Sequence, residues 1–490
     1  MSQVLATPGV YIEEKSAFPS SAVQVATAVP AFIGYTEKAI RDNKSLKNKP
    51  TRITSLSEFH QFFGAGPKTT YAVAEDDETG FKVEVDAGTK FNLYRSMRMF
   101  FSNGGSTCYI VSVGDYKNGV SIKDLNDEGT ESGIPTLLKY PEPTMLVIPD
   151  AVLLEEADCG TLQQAMLMHC GKDMKSRVSI LDVYNGDQPR TYDDNDVIIK
   201  SRESLGINFL QWGASYYPYL NTTIVQADEV DFRNISNLDA LAKLLDAEAD
   251  AIYGDDAKII KDEIAKLSGD NDPISLHQTL LAKLPLYKAI LAEVRSNLNV
   301  LPPSGGMAGV ISMIDGEVGV FKSPANVSLG SVVSPSINMT AKDQEDLNLP
   351  LNGKAINAIR SFPGKGTLVW GARTLDGNSQ DWRYLSVRRT VIMIEQSLKT
   401  ASEAYVFEPN EVNTWVAVKG MMTNFLKDQW KRGALAGATP EDAFSVDIGL
   451  GTTMTPTDIL DGIMRITVKL AVTRPAEFIV ITFQQQMQKS

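Results

Sequence analysis

Short apolar runs punctuated by glycine and proline recur along the chain and predict strands alternating with helices. VPAFIGYT (29–36) reads as an apolar strand closed by Gly34. ITSLSEFHQFFG (53–64) predicts a capped helix: Ser55 or Ser57 can accept from free N–H groups at its start, and Gly64 ends it. KFNLYRSMRMFFSNGGSTCYIVSVG (90–114) reads as a helix with an apolar stripe, a Gly104-Gly105 turn and an apolar strand. From about 115 the chain turns polar. TMLVIPDA (144–151), a helix near 159–172 and RVSILDVY (177–184) then predict a strand–helix–strand unit.

Residues 236–300 carry no strand signal. They read as amphipathic helices separated by Gly and Asp-Asn-Asp-Pro breaks, ended by LPPSGG (301–306). The last third returns to the alternating pattern: GTLVWGART (366–374) a strand, 387–410 with a long helix, 413–435 a helix, 461–475 a strand. At the two ends lie isolated strand patterns. In TPGVYIEE, Val10 and Ile12 alternate with Tyr11 and Glu13. In EFIVITF (477–483), Phe478, Val480 and Thr482 share one face and Ile479, Ile481 and Phe483 the other, as in a strand covered on both sides. No later strand is there to pair with it, and an open apolar edge recruits other chains. The fold class expected is mixed α/β (α+β) and multi-domain, because 490 residues exceed a single core.

Composition is that of an ordinary folded protein, 43% hydrophobic and 22% charged. The net charge of −13 argues against general nucleic-acid binding, which needs a basic surface. MSQVLATPGVYIEE lacks the basic and apolar regions of a signal peptide, and no apolar run reaches membrane-spanning length. Cys108, Cys159 and Cys170 form no C-x-x-C pattern and read as reduced, buried thiols of a protein made in the cytoplasm.

Candidate chemistry is sparse. His60, His169 and His277 fall in three separate predicted helices without metal-ligand spacing. FPGKGT (362–367) lacks the first glycine and the Ser/Thr of a phosphate loop, and reads as a turn between helix and strand. Asp150 and Asp182 end adjacent predicted strands. There they would either hold a metal ion for an α/β enzyme or start turns and cap helices. Helix 413–435 gathers Trp415, Val418, Met422, Phe425, Leu426 and Trp430 on an apolar face. Lys419, Lys427, Lys431 and Arg432 form a basic stripe, which is either a solvated flank or a contact for an acidic partner.

A further set of motifs is TPGVYIEE, VPAFIGYT, NGGSTCYIVSV, MLVIPDA, YYPYL, LPPSGGMAGV, FKSPANV, INAIRSFPGKGTLVWGARTL, WRYLSVRRTVIMIEQSL, VFEPN and RPAEFIVITF. Together, and in this order, they resemble the contractile tail sheath proteins of phage tails and phage-tail-like injection systems, in particular antifeeding-prophage-like extracellular particles. The 350–483 portion is the most specific; block 236–300 matches no motif. The resemblance implies N- and C-terminal donor arms (1–20 and 476–490) and an inner domain built from 21–114 and 350–475. It implies outward insertion domains over 115–349, with 236–300 a helical insertion. Val10, Tyr11, Ile12, Phe478, Ile479, Val480, Ile481, Thr482 and Phe483 would pair in neighbouring subunits, and the stripe Lys419, Lys427, Lys431 and Arg432 would face an inner tube. The implied function is a structural subunit, with no catalytic residue, cofactor or metal. It would polymerise helically around the tube and contract to drive it through a target membrane, or serve as a minor baseplate-proximal paralogue. Implied partners are copies of itself, the tube, baseplate and tail-terminator proteins, with no nucleic acid and no membrane insertion. The particle would be released outside the cell.

Overall fold

The computed structural model describes residues 22–269 and 272–479. By internal contacts the described chain divides into two compact units, one of 26–392 with 474–479 and one of 22–25 with 393–473.

The larger unit is built on a nine-stranded mixed sheet. Its strands are β1 (Pro30–Tyr35), β2 (Thr51–Ile53), β3 (Cys108–Gly114), β4 (Met145–Val147), β5 (Val178–Asp182), β6 (Gly213–Tyr217), β7 (Val327–Ser328), β8 (Asn357–Phe362) and β9 (Gly366–Val369). In space they run β7-β9-β8-β6-β5-β4-β1-β3-β2. The run from β8 through β1 to β3 is parallel, and the edge pairings are antiparallel. The sheet thus draws strands from 21–114, 115–349 and 350–475 alike.

Helix α1 (Leu56–Phe63) starts on Ser55, whose hydroxyl accepts from Glu58 N, and stops at Gly64 with φ +85°. Helices α2 (Leu93–Ser102) and α3 (Glu156–Met168) follow. Helices α4 (Leu238–Tyr253), α5 (Ala257–Ile264), α6 (Pro273–Lys283) and α7 (Pro285–Leu298) make up the helical block, with α8 (Ser304–Glu317) after it.

The main core joins Phe32, Ile33, Met97, Phe100, Ile110, Val111, Ile180, Met307 and Ile311. Helices α2 and α8 meet closely because Gly305 and Gly309 face α2. A Cβ there would come within 2.7 Å of Ser96 O and 2.5 Å of Phe100 O. The helical block has its own core around Leu241, Leu245, Ile260, Leu280, Tyr287 and Ile290. Tyr71 and Val73, from the hairpin Tyr71–Ala74/Lys82–Val85, complete it.

In the smaller unit α9 (Val412–Lys431) packs on an antiparallel pair, β10 (Phe444–Asp447) and β11 (Thr467–Leu470). Two expectations change. FPGKGT is a hairpin turn between β8 and β9, with Gly364 and Gly366 at φ +73° and +76°, so it joins two strands. The strand expected over 461–475 shrinks to β11, since the chain turns at Gly462 with φ +69° after a short helix, Pro456–Leu460. Glu477, Phe478 and Ile479 take no strand pairing. Val480, Ile481, Thr482 and Phe483 lie outside the described residues, as do Val10, Tyr11 and Ile12.

Candidate functional site

Asp150 and Asp182 stand where an α/β sheet offers ligand groups. From β1 the chain moves to β3 on one side and then to β4, β5 and β6 on the other, so β1 and β4 flank a topological switch point. Asp150 follows β4 and is fully buried. Its Oδ1 accepts from Asn92 N at the start of α2 (2.6 Å), and its Oδ2 accepts from Tyr35 N at the end of β1 (3.3 Å). A Cβ on Gly34 would sit 2.5 Å from Asp150 Oδ2, so only glycine leaves room for the carboxylate.

Asp182, at the end of β5, accepts from Ser304 N (2.8 Å) and Ser304 Oγ at the start of α8. Each carboxylate therefore occupies a helix N-terminus, the position an anionic ligand would take. Burial pushes Asp150 up to about 6 and Asp182 up to about 7, against the pull of these hydrogen bonds. The metal-pair reading is corrected: both carboxylates are spent as caps, on helices distant in sequence from the strands they end. Among the described residues no group of three His, Cys, Asp or Glu side chains is arranged to hold a metal.

The histidines are likewise engaged. His60 meets Tyr94 OH (3.0 Å) and His277 meets Tyr287 OH (2.9 Å). His169 lies deeper than expected, against Arg177, and burial together with that guanidinium lowers it to about 3.

A constellation that the sequence reading missed holds the C-terminal segment. Arg373, 1% exposed, grips the Glu477 carboxylate through Nε (3.1 Å to Oε1) and Nη2 (2.5 Å to Oε2). Asn348 Nδ2 donates to Oε1 (2.9 Å) and Tyr384 OH to Oε2 (3.1 Å). Burial alone would raise this carboxyl, but the bonds from Arg373 and Asn348 outweigh it and hold the pKa below the usual range. Immediately beyond, Phe478 and Ile479 are 66% and 80% exposed. The available signal was one carboxylate at the head of an otherwise apolar strand.

In the smaller unit Val25 N donates to Ser397 Oγ (3.0 Å) and Arg432 Nη1 to Gln24 Oε1 (2.9 Å). This separates Arg432 from Lys419, Lys427 and Lys431. Those three are exposed on α9, with no carboxylate bonded to them among the described residues. Val418, Met422, Phe425 and Leu426 are buried as expected. Trp415 and Trp430 are half-buried, and their indole N–H groups donate to Asn410 Oδ1 (2.8 Å) and Gly437 O (3.0 Å). Beside α9, β10 and β11 pair only with each other among the described residues.

A family model described as the phage tail sheath C-terminal domain matches residues 378–486. Solved structures extend the likeness over the whole chain. The sheath complex of the extracellular contractile injection system PVC, in the contracted state, is 27% identical over 99% of each chain, with a TM-score of 0.61. The contracted helical sheath of the anti-feeding prophage (AFP) is 28% identical over 99% of this chain and 100% of that one, with a TM-score of 0.61. Over its whole length the chain is similar to contractile tail sheath proteins. A chain of the contracted AFP baseplate is also similar, at 25% identity over 98% of this chain and 99% of that one and a TM-score of 0.64. No curated protein sequence matches. The segment matched by the family model contains both strands β10 and β11 and helix α9.

Proposed function

We propose that this sheath protein polymerises helically around an inner tube in an extended metastable state, then contracts and drives the tube through a target membrane. One observation carries the reading. Glu477 is fixed to the body, yet Phe478 and Ile479 directly after it stand exposed and take no strand partner among the described residues. Among the described residues strands β10 and β11 form a sheet of only two, the kind that gains most from an added strand. Residues 476–490 and 1–20 are the donor arms. Phe478 to Phe483 of one subunit, and Val10 to Ile12 of another, would extend that sheet in neighbours by β-augmentation. A head-to-tail donation that does not close on itself gives an open helix.

The likeness to contracted PVC and AFP sheaths supports the mechanical role. A bias of about 1.4 kcal/mol per subunit is a tenfold equilibrium preference, and a coupled array multiplies it. Lys419, Lys427 and Lys431 would touch an acidic tube. Tube, baseplate and terminator proteins complete the partners, in a particle assembled in the cytoplasm and released from the cell.

The likeness to a chain of the AFP baseplate favours a second reading, a minor sheath paralogue near the baseplate. Electron microscopy of particles carrying a labelled copy of this chain tests both. Label along the whole shaft supports the main sheath, label only beside the baseplate supports the paralogue, and unlabelled particles refute both.

A further inference from the structure

A polar cavity of about 340 Å³ opens between the loop 65–68, helix α2 and the segment 225–234. Four cations line it, Lys68, Arg95, Arg98 and Arg233, with two carboxylates, Glu229 and Asp231. Both carboxylates are already spent. Glu229 takes Arg98 in a two-pronged pair (2.6 and 3.0 Å), and Asp231 takes Arg233, with Nε 2.9 Å from each oxygen.

Two positive charges are left over on a chain of net charge −13. Lys68 stands exposed at the rim. Arg95 is 6% exposed, and its bonds go to neutral oxygens, Phe91 O (3.3 Å) and Thr69 Oγ1 (3.1 Å). Among the described residues no carboxylate is bonded to it. A guanidinium stays protonated in proteins, and with the Asp150 and Glu229 charges acting on it only from beyond hydrogen-bond reach its burial carries an electrostatic cost. Burial accordingly pulls its pKa down. The loop carrying Lys68 is pressed onto the wall: a Cβ on Gly66 would meet the Tyr94 ring at 2.4 Å, so the backbone lies flat there. Asn234 Nδ2 donates to Thr69 O (3.0 Å) and ties the opposite wall to the same loop.

We propose that this cavity binds an oxyanion, seated against Arg95 at the back and Lys68 at the mouth. A planar guanidinium in a low-dielectric concave wall suits carboxylate or phosphate oxygens. The anion is either free phosphate or a carboxylate presented by a neighbouring copy of this acidic chain.

The test is calorimetric titration of the full-length protein with inorganic phosphate and with succinate, in chloride buffer at matched ionic strength. Saturable binding is expected, abolished in Arg95→Met and weakened about tenfold in Lys68→Gln, as for one charge-assisted hydrogen bond. Binding of phosphate alone assigns the site to a free ion. Binding of succinate, with weaker polymerisation of Lys68→Gln, assigns it to a neighbour's carboxylate. Absence of saturable binding by either anion overturns the proposal, as does binding that Lys68→Gln leaves unchanged. The exposed Lys68 variant keeps the test decisive if Arg95→Met fails to fold.

Discussion

Removing the C-terminal arm separates assembly from folding, provided the cut respects Glu477. Cutting before Glu477 removes the partner of a buried guanidinium. Breaking a fully buried pair costs about 3–5 kcal/mol; with the carboxylate one-fifth exposed, about 1–3 kcal/mol is the appropriate scale. Cutting after it (deletion of 478–490) spares the body. What is lost is the pairing. A strand laid beside four residues of β10 or β11 makes about four main-chain hydrogen bonds, ~2–6 kcal/mol net at ~0.5–1.5 each. Reburial of Phe478 and Ile479 adds about 2–4 kcal/mol. Even the low end, ~4 kcal/mol, weakens each subunit contact about a thousandfold. Sedimentation velocity and negative-stain microscopy should find a monomer with unchanged melting behaviour, whereas deletion of 476–490 should also melt earlier. Cylinders formed by the 478–490 deletion would refute strand donation.

Changing Lys427 and Lys431 to Glu should leave sheath polymerisation intact but give empty or contracted cylinders, because exposed tube contacts are weak and screened over ~8 Å. Normal tube-filled particles from this variant would make the stripe a solvated flank. Replacing 236–298 by a Gly/Ser linker should leave contraction intact while uncovering Tyr71 and Val73, read as new proteolysis in the 71–85 hairpin; sheaths that form but cannot contract would oppose this. For Asp182, a folded pKa near 7 against an ordinary value of about 3.9 means the folded state keeps a proton the unfolded state has lost. Stability should therefore fall as pH rises from about 4 to 7, and Asp182→Asn should flatten that slope in denaturant titrations; an unchanged slope would count against the burial argument.

What the sequence disclosed was periodic or locally capped. The strand VPAFIGYT, the Ser55–Gly64 helix and the helical character of 238–298 were legible because their signals lie within a few residues, although the break between α6 and α7 at Leu284 was not. The FPGKGT hairpin was misjudged because a glycine turn looks the same after a helix as after a strand. Hairpin 71–85 was passed over because its strands are short and mostly exposed. The caps from Asp150 and Asp182, and the Arg373–Glu477 pair, join residues 58, 122 and 104 positions apart, and no local pattern records such meetings.

The grip on Glu477 has a mechanical side. Phe478 follows it directly, so the tether between the anchored carboxylate and the first apolar residue beyond it is one residue, about 3.4 Å. There is almost no slack. With its arm seated in a neighbour's sheet, a body that shifts by more than that length loads the arm in tension. The pull must then drag the neighbour along or rupture a two-pronged arginine–carboxylate pair. A long flexible linker would absorb the same displacement and let each subunit move alone. Under the proposed strand donation this short, bolted one would yoke adjacent subunits, so a movement begun at one end of the array would be handed from body to body along its length.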